Sequence, residues 1–270
     1  MKIVHLSETE YRKLLAMNAT ALACLADATP AHWEWERTHP TRSPALEMGI
    51  ALHMAVLEPD AFSRTYVVPP EVDRRTKQGK EDWAAFMEAN EGRTILPADQ
   101  YETVRGMATS VLSHPEAVKW LEVCSEREVC LVGEYRGIPA KCRIDALDPA
   151  SGLFLDLKST RHRANIVACE RAAHELNYFL RLALYRRLMQ EAGMPWNGCS
   201  VIWVESKPPH AVNILPVASW AIDLMDKPLE RAIMSYRDWM RDPTIGWPTT
   251  GCELGLPTWV ANSLEVEDHR

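Results

Sequence analysis

Residues 141–160, KCRIDALDPASGLFLDLKST, constrain the fold of this chain more than any other stretch. Two short alternating runs flank the turn-forming residues 148–152, which predicts a strand, a turn and a second strand. Side chains in a strand alternate between its faces, so Asp156 and Lys158 share one face of the second strand. If the two strands pair, Asp145 of the first strand converges with them. Two carboxylates beside an amine would form a hard-cation site next to a positive charge.

A second signal is an apolar helix, predicted to begin at Pro44, which suits a first helical turn, and to end at Pro59. The helical spacing of Leu46 and Leu57 places His53 on or beside the buried stripe of this helix. A histidine in that position is either a core residue with a satisfied hydrogen bond or a ligand. The helical pattern alone leaves both interpretations open.

The composition is that of an ordinary globular protein. Apolar residues make up 47% and charged residues 25% of the 270 positions, and no apolar run is long enough for a membrane helix. The N-terminus turns polar too early for a secretory signal, and the odd cysteine count of 7 favours reduced thiols. We therefore expect a cytoplasmic protein without membrane contact. The lack of a C-x-x-C pair argues against a zinc ribbon or an iron–sulfur cluster.

Charge leaves nucleic-acid binding open. A net charge of −7 does not favour a passive nucleic-acid binder, but an enzyme can confine its phosphate contacts to local basic clusters. Residues 69–80, PPEVDRRTKQGK, form the densest positive cluster in the first half of the chain. This segment is either a solvated mobile loop or a loop that contacts DNA.

The remaining pattern predicts the elements around these signals. Helices are expected over residues 6–25, 81–91, 98–114, 115–121 and 219–241, and strands over residues 128–132, 200–206 and 211–217. We expect one domain, with a helical segment over residues 1–42, a core over 43–260 and a frayed tail over 261–270.

The longest helical pattern follows residue 160 and carries two stripes. The first is predicted to be buried and comprises Leu176, Leu180, Ala183, Leu184 and Leu188. The second is polar and aromatic, is expected to face the sheet, and comprises His174, Tyr178, Arg181 and Tyr185.

Three short motifs follow one another along the chain: Ala51-Leu52-His53, Arg143-Ile144-Asp145 and Asp156-Leu157-Lys158. Together they resemble the PD-(D/E)xK nuclease superfamily, and more closely its exonuclease VIII-type and lambda-exonuclease-like alkaline exonucleases. The resemblance runs from residue 43 to residue 259. It implies an α/β (α+β) fold of the restriction-endonuclease-like type, in which helices flank a central mixed β-sheet.

The resemblance also implies a function. Family members are Mg²⁺-dependent exodeoxyribonucleases that digest linear double-stranded DNA processively from its 5′ ends to mononucleotides, leaving 3′ single strands for recombination, as in phages. It further implies a homo-oligomeric ring, a trimer or tetramer threaded by DNA, with a single-strand annealing protein as partner.

Roles follow for the residues that match the motifs. By resemblance, Asp145 and Asp156 bridge two metal ions about 3.5–4 Å apart. His53 and the main-chain carbonyl of Leu157 are further ligands, and the histidine favours Mn²⁺ as an alternative to Mg²⁺. Lys158 orients the attacking water or offsets charge on the phosphorus. Lys158, Asp145 and Asp156 are thus the catalytic candidates.

Further residues are weaker candidates. Glu128 is a possible addition to the site. Arg181 stands where the family has a glutamine, and a fixed guanidinium there could contact a phosphate. The candidates for DNA contact are Arg74, Arg75, Lys77, Arg161, Arg163, Arg181 and Tyr185.

Three other interpretations of the same residues remain open. The first is a structure-specific endonuclease on the same fold, which would cut closed circular DNA. The second is a non-catalytic DNA-binding subunit that has kept the nuclease fold. The third is a globular protein whose Asp-Leu-Lys is an ordinary ion pair on a strand, without any stabilisation by divalent metal.

Overall fold

The computed structural model describes residues 1–41, 43–248, 254–257 and 260. Its strands are β1 (Lys2–Val4), β2 (Tyr66–Val67), β3 (Thr94–Ile95), β4 (Glu126–Tyr135), β5 (Ile138–Asp148), β6 (Leu153–Thr160), β7 (Cys199–Glu205) and β8 (Val212–Pro216). Six of them form a central sheet in the order β1-β4-β5-β6-β7-β8, in which β6 and β7 are parallel and the other neighbours are antiparallel. The two remaining strands, β2 and β3, form a separate parallel pair.

Helices cover both faces of this sheet. They are α1 (Glu8–Lys13), α2 (Ala19–Asp27), α3 (Pro30–Thr38), α4 (Pro44–Leu57), α5 (Pro59–Thr65), α6 (Lys77–Ala89), α7 (Ala98–Leu112), α8 (Pro115–Val123), α9 (Ile166–Glu175), α10 (Tyr178–Glu191), α11 (Ser219–Asp223) and α12 (Asp226–Arg241). A mixed sheet flanked by helices confirms the predicted fold class. None of the described helices is long and apolar enough to cross a membrane.

The side chains of β7 point alternately into two apolar cores. Val201 and Trp203 belong to a cluster that includes α2, α10 and α12, whereas Ile202 and Val204 belong to one that includes α4, α7 and α8. Because successive strand residues point to opposite faces, each cluster fills one side of the sheet. The helix with His53 and the helix with Arg181 therefore approach the sheet from opposite sides.

The predicted strand, turn and strand over residues 141–160 are confirmed as β5 and β6. They follow β4 in an antiparallel meander. In the turn between them, Gly152 has a φ of +74°, and a Cβ built on it would lie 2.0 Å from the carbonyl oxygen of Pro195. The turn thus requires glycine for its backbone conformation and for its packing.

We expect Gly152→Ala to lower the free energy of unfolding by about 3 kcal/mol or more, since a clash with backbone adds to the left-handed strain. Gly193 is a matched control, because its φ is +72° but nothing lies within 4 Å of a Cβ there. Gly193→Ala should cost only about 1–2 kcal/mol. Urea unfolding of both variants would measure the difference, and equal losses would contradict the packing argument.

The single helix predicted over residues 6–25 is wrong. Two helices, α1 and α2, form instead, and the chain between them docks on β5 through Met17, whose N–H donates to the carbonyl of Pro139 at 2.8 Å. The side chain of Asn18 then caps α2 by accepting from the N–H groups of Thr20 and Ala21 at 3.0 and 3.1 Å. The short edge strand β1 was not predicted.

The long helix predicted after residue 160 is also divided. It ends as α9 and restarts as α10, because Asn177 adopts a left-handed conformation with a φ of +49°. Leu176 and His174 are therefore exposed, which corrects their predicted places on the two stripes. The other members of the buried stripe are confirmed: Leu180, Ala183, Leu184 and Leu188.

The basic segment over residues 69–80 is only partly a loop. Thr76 caps α6 by accepting from the N–H of Gly79 at 2.9 Å, so the helix begins at Lys77, before the predicted start at residue 81. The predicted tail, residues 261–270, lies outside the described residues. The prediction of a single domain stays a prediction.

Candidate metal centre

The centre is built in a gap between β5 and β6. The two strands pair from Asp148–Leu153 to Ala146–Leu155, and one further step of this register would place Asp145 opposite Asp156. At this point a side chain takes the place of the backbone hydrogen bonding between the two strands: Asp145 Oδ2 accepts from the N–H of Leu157 at 2.8 Å. The carbonyl oxygen of Leu157 lies 2.8 Å from His53 Nε2. Both backbone groups of Leu157 are thus bonded to side chains in the gap.

Helix α4 holds His53 in place. Ser43 caps this helix. Leu52 and Val56, on the same helix as His53, are buried against the sheet, and this leaves His53 half-buried at the edge of the gap. His53 Nδ1 lies 3.6 Å from Asp145 Oδ2 and 4.0 Å from Glu128 Oε1. In the neutral imidazole, donation from Nε2 to the Leu157 carbonyl leaves the Nδ1 lone pair facing these two carboxylates.

Glu128 enters the site from β4. The pairs Arg127–Ala146 and Val129–Ile144 flank it, so the register places it opposite Asp145. Its φ is +50°, an unusual conformation for a residue with a side chain. Such strain persists only where the surrounding structure imposes it, and it clusters at functional sites.

Arg143 clamps the Glu128 carboxylate. Its Nε donates to Glu128 Oε2 at 2.5 Å, while a terminal nitrogen donates to Glu8 Oε2 of α1, also at 2.5 Å. The carbonyl of Arg143 in turn accepts from the hydroxyl of Tyr185 at 2.9 Å. The clamp fixes which oxygen of Glu128 is free, and that oxygen, Oε1, faces His53.

Burial and the closeness of the carboxylates shift their pKa values in the gap. Burial, and then the nearby Asp145, raise the pKa of Glu128 to about 8 despite Arg143. Burial and Asp145 also raise the pKa of Asp156. For Asp145 itself, burial acts to raise the pKa, but His53, Lys158 and the Leu157 N–H outweigh it, and its pKa is lowered.

These donors fit a hard divalent cation. His53, Glu128 and Asp145 each offer one ligand atom, and the three atoms lie within 4.8 Å of one another. Carboxylate oxygens with one imidazole nitrogen suit Mg²⁺ or Mn²⁺, and a bound cation would relieve the repulsion between Glu128 and Asp145. The predicted ligand Asp156 lies outside this group of three. The Leu157 carbonyl, another predicted ligand, also accepts from Lys158 Nζ at 3.2 Å.

Lys158 and Asp156 form the other side of the centre. The Lys158 ammonium makes an ion pair with the buried Asp156 carboxylate and lies 5.5 Å from the ring centroid of Tyr178. Arg181, which is partly buried on α10, interacts electrostatically with both Asp156 and Asp145. The structure therefore brings together the predicted residues His53, Asp145, Asp156, Leu157 and Lys158.

The predicted DNA contacts are divided between surface and interior. Arg74, Arg75, Lys77, Arg161 and Arg163 are exposed. Of these, Arg74 stacks on the ring of Trp83 at 4.4 Å, and Arg75 pairs with Asp73 at 3.0 Å. Their contact with DNA stays a prediction. Tyr185, in contrast, is buried, and its hydroxyl donates to the Arg143 carbonyl of β5. This position does not support a direct contact between Tyr185 and DNA.

Sequence reasoning missed Glu8 and the clamping role of Arg143, and it gave Glu128 only as a possible addition. The signal for Glu128 was available in principle: aligning β4 on β5 by their shared turn places it opposite Asp145. No local pattern could have linked Glu8 to Arg143, because the two residues lie far apart in the chain.

We expect Arg143→Ala to weaken binding of Mn²⁺ by about 10- to 100-fold, since Glu128 would lose the residue that orients it. Arg136→Ala is a control, because Arg136 forms a pair with Glu230, also at 2.5 Å, at the far end of β4. Isothermal titration would compare the two variants. An unchanged dissociation constant in Arg143→Ala would show that the clamp does not prepare the centre.

The fold and the centre are those of a PD-(D/E)xK-like domain: a mixed sheet with Asp145 and the Asp156-Leu157-Lys158 motif on adjacent strands, beside a helix with a histidine. The chain belongs to the family described as "PDDEXK-like domain of unknown function (DUF3799)", whose model matches residues 7–249. No curated protein matches the sequence.

The chain is similar over nearly its whole length to a solved structure. It is the crystal structure of a "Putative exonuclease" from Eubacterium rectale, with a TM-score of 0.60 and 13% sequence identity. The match covers 96% of this chain and 98% of that chain. At this identity the likeness shows the fold alone.

Proposed function

We propose that this protein is a metal-dependent exodeoxyribonuclease that digests linear double-stranded DNA from its 5′ ends. The observation that carries the proposal is the group of His53, Glu128 and Asp145 within 4.8 Å of one another, beside the ion pair of Lys158 with Asp156. The name of the Eubacterium rectale structure and the resemblance to exonuclease VIII-type enzymes support an exonuclease over other nucleases.

Each residue of the centre has a part in phosphodiester hydrolysis. Glu128, Asp145 and His53 would hold Mg²⁺ or Mn²⁺, which when bound neutralises charge on the phosphate oxygens and promotes attack by water. Lys158 places an ammonium group where negative charge develops on the phosphate, and Asp156 fixes that ammonium by its ion pair. The buried walls around Asp145 and Asp156 keep bulk water out, which strengthens these interactions.

The assembly is part of the proposal. We propose a homo-oligomeric ring of three or four subunits, acting with a single-strand annealing protein, on the strength of the resemblance to exonuclease VIII-type enzymes. Light scattering after size-exclusion chromatography would measure the subunit number, and a monomer at all concentrations would contradict the ring.

The test compares linear duplex DNA, labelled at its 5′ or its 3′ ends, with the same DNA as a closed circle. Reactions would contain Mg²⁺ or EDTA, and wild-type protein, Asp156→Ala or the control Asp60→Ala, whose carboxylate is exposed on α5. We expect early release of 5′-labelled mononucleotides from linear DNA only, lost with EDTA and in Asp156→Ala. Cutting of the circle would indicate an endonuclease, and no metal-dependent activity on either substrate would favour a non-catalytic binding subunit.

A further inference from the structure

Helix α10 crosses the gap between β5 and β6 on the face opposite α4. Tyr178, Arg181 and Tyr185 lie on one side of this helix, because they are separated by single turns. Tyr185 bonds to the Arg143 carbonyl of β5 at 2.9 Å, and the ring of Tyr178 lies 5.5 Å from Lys158 Nζ of β6. Arg181, between these two anchors, is therefore held over the gap itself.

Two polar groups on this side of α10 lack hydrogen-bond partners among the described residues. Within the described part of the chain, the Arg181 guanidinium makes no hydrogen bond or ion pair, although it interacts electrostatically with Asp156 and Asp145. The hydroxyl of Tyr178 is likewise buried without a partner among the described residues. A guanidinium has several N–H donors in a planar fork, which suit a phosphate or carboxylate ligand.

Charge is distributed unevenly across the gap. On the α4 side, Arg143 is shared between the carboxylates of Glu8 and Glu128, and Asp145 adds a further negative charge. On the α10 side, two cations, Lys158 and Arg181, lie beside the one carboxylate of Asp156, and both also act electrostatically on Asp145. A divalent cation is therefore attracted to the α4 side, whereas a second one beside Asp156 would be repelled by two fixed positive charges.

We infer that the centre takes a single divalent cation, held by His53, Glu128 and Asp145, and that Arg181 replaces a second cation by binding a phosphate oxygen of the substrate. This inference rests on the proposed function, and it departs from the two ions expected from the resemblance. It also gives a reason for an arginine where exonuclease VIII-type enzymes have a glutamine.

The number of bound ions tests the inference without any assay of activity. Mn²⁺ would be titrated into wild-type protein, Arg181→Gln and Arg181→Lys, with stoichiometry from calorimetry and spin coupling between ions from electron paramagnetic resonance. Arg231→Gln is the control, because Arg231 is exposed on α12. We expect one ion per chain in the wild type, the control and Arg181→Lys, and a second, weaker ion in Arg181→Gln.

A second arm measures the phosphate contact. Binding of a 5′-phosphorylated duplex in Ca²⁺ would be followed by fluorescence anisotropy, and Arg181→Gln should bind about tenfold more weakly than the control variant. Two ions in the wild type would overturn the single-ion inference. One ion and unchanged DNA affinity in Arg181→Gln would overturn the role of Arg181, and the absence of any bound Mn²⁺ in the wild type would overturn the proposed metal centre itself. Should Arg181→Gln fail to fold, the wild-type stoichiometry still decides the number of ions.

Discussion

Replacing Lys158 with alanine should lower the rate of DNA hydrolysis by about 100- to 1000-fold while the protein remains folded. The Lys158 ammonium contacts both the Asp156 carboxylate and the Leu157 carbonyl. Its loss would remove positive charge from the place where the phosphate becomes more negative. Binding of metal on the α4 side should change little, because Lys158 offers no ligand atom.

The matched control is Lys119→Ala, since Lys119 is an exposed lysine that pairs with Glu116 on α8 at 3.5 Å. Single-turnover rates on linear duplex DNA would be compared under saturating Mg²⁺, with melting temperatures to confirm folding. If Lys158→Ala kept a rate within a few-fold of Lys119→Ala, Lys158 would have no part in the chemistry.

The affinity for divalent metal should increase about tenfold for each pH unit between pH 6 and pH 8, and then level off. The cause is Glu128, whose pKa is raised to about 8 by burial and by Asp145. Below that pH the metal must displace a proton from the carboxyl, and above it the carboxylate is already free. Calorimetric titration with Mn²⁺ from pH 6 upward would measure the dissociation constant directly.

The same proton makes the metal-free fold less stable at high pH. A carboxyl whose pKa is higher in the folded state contributes stability that is present below its ordinary value of 4.5 and is lost as the pH rises through about 8. Melting in EDTA should show this decline, and Glu128→Gln should flatten it and also weaken metal binding. Glu134→Gln, exposed on the same strand, is the control. A pH-independent metal affinity would show that Glu128 does not ligate the ion.

The sequence was informative where the chemistry is local. Asp145, Asp156 and Lys158 lie on two strands joined by a tight turn, so strand alternation and turn residues were enough to bring them together. His53 required a resemblance, because only the packing of α4 on the sheet shows that its ring reaches the Leu157 carbonyl.

What could not be predicted depends on long-range contacts and on backbone conformation. The hairpin register of β4 and β5 places Glu128 opposite Asp145, but no alternation rule anticipates the strained backbone at Glu128. The separation of α1 from α2 depends on the contact of Met17 with β5, which is distant in sequence. Arg181 lies over the gap because the helix restarts after Asn177. A continuous helix would have placed Tyr178, Arg181 and Tyr185 on a different side.

The two bonded backbone groups of Leu157 have a consequence for mutagenesis. Because the gap uses the backbone N–H and carbonyl of Leu157 and the apolar core uses its side chain, a side-chain scan would classify position 157 as ordinary hydrophobic packing. Replacing the amide that precedes this side chain by an ester would instead delete the donor to Asp145 and keep the leucine. Chemical synthesis of the backbone, rather than codon changes, is therefore the way to measure what this position contributes to the centre.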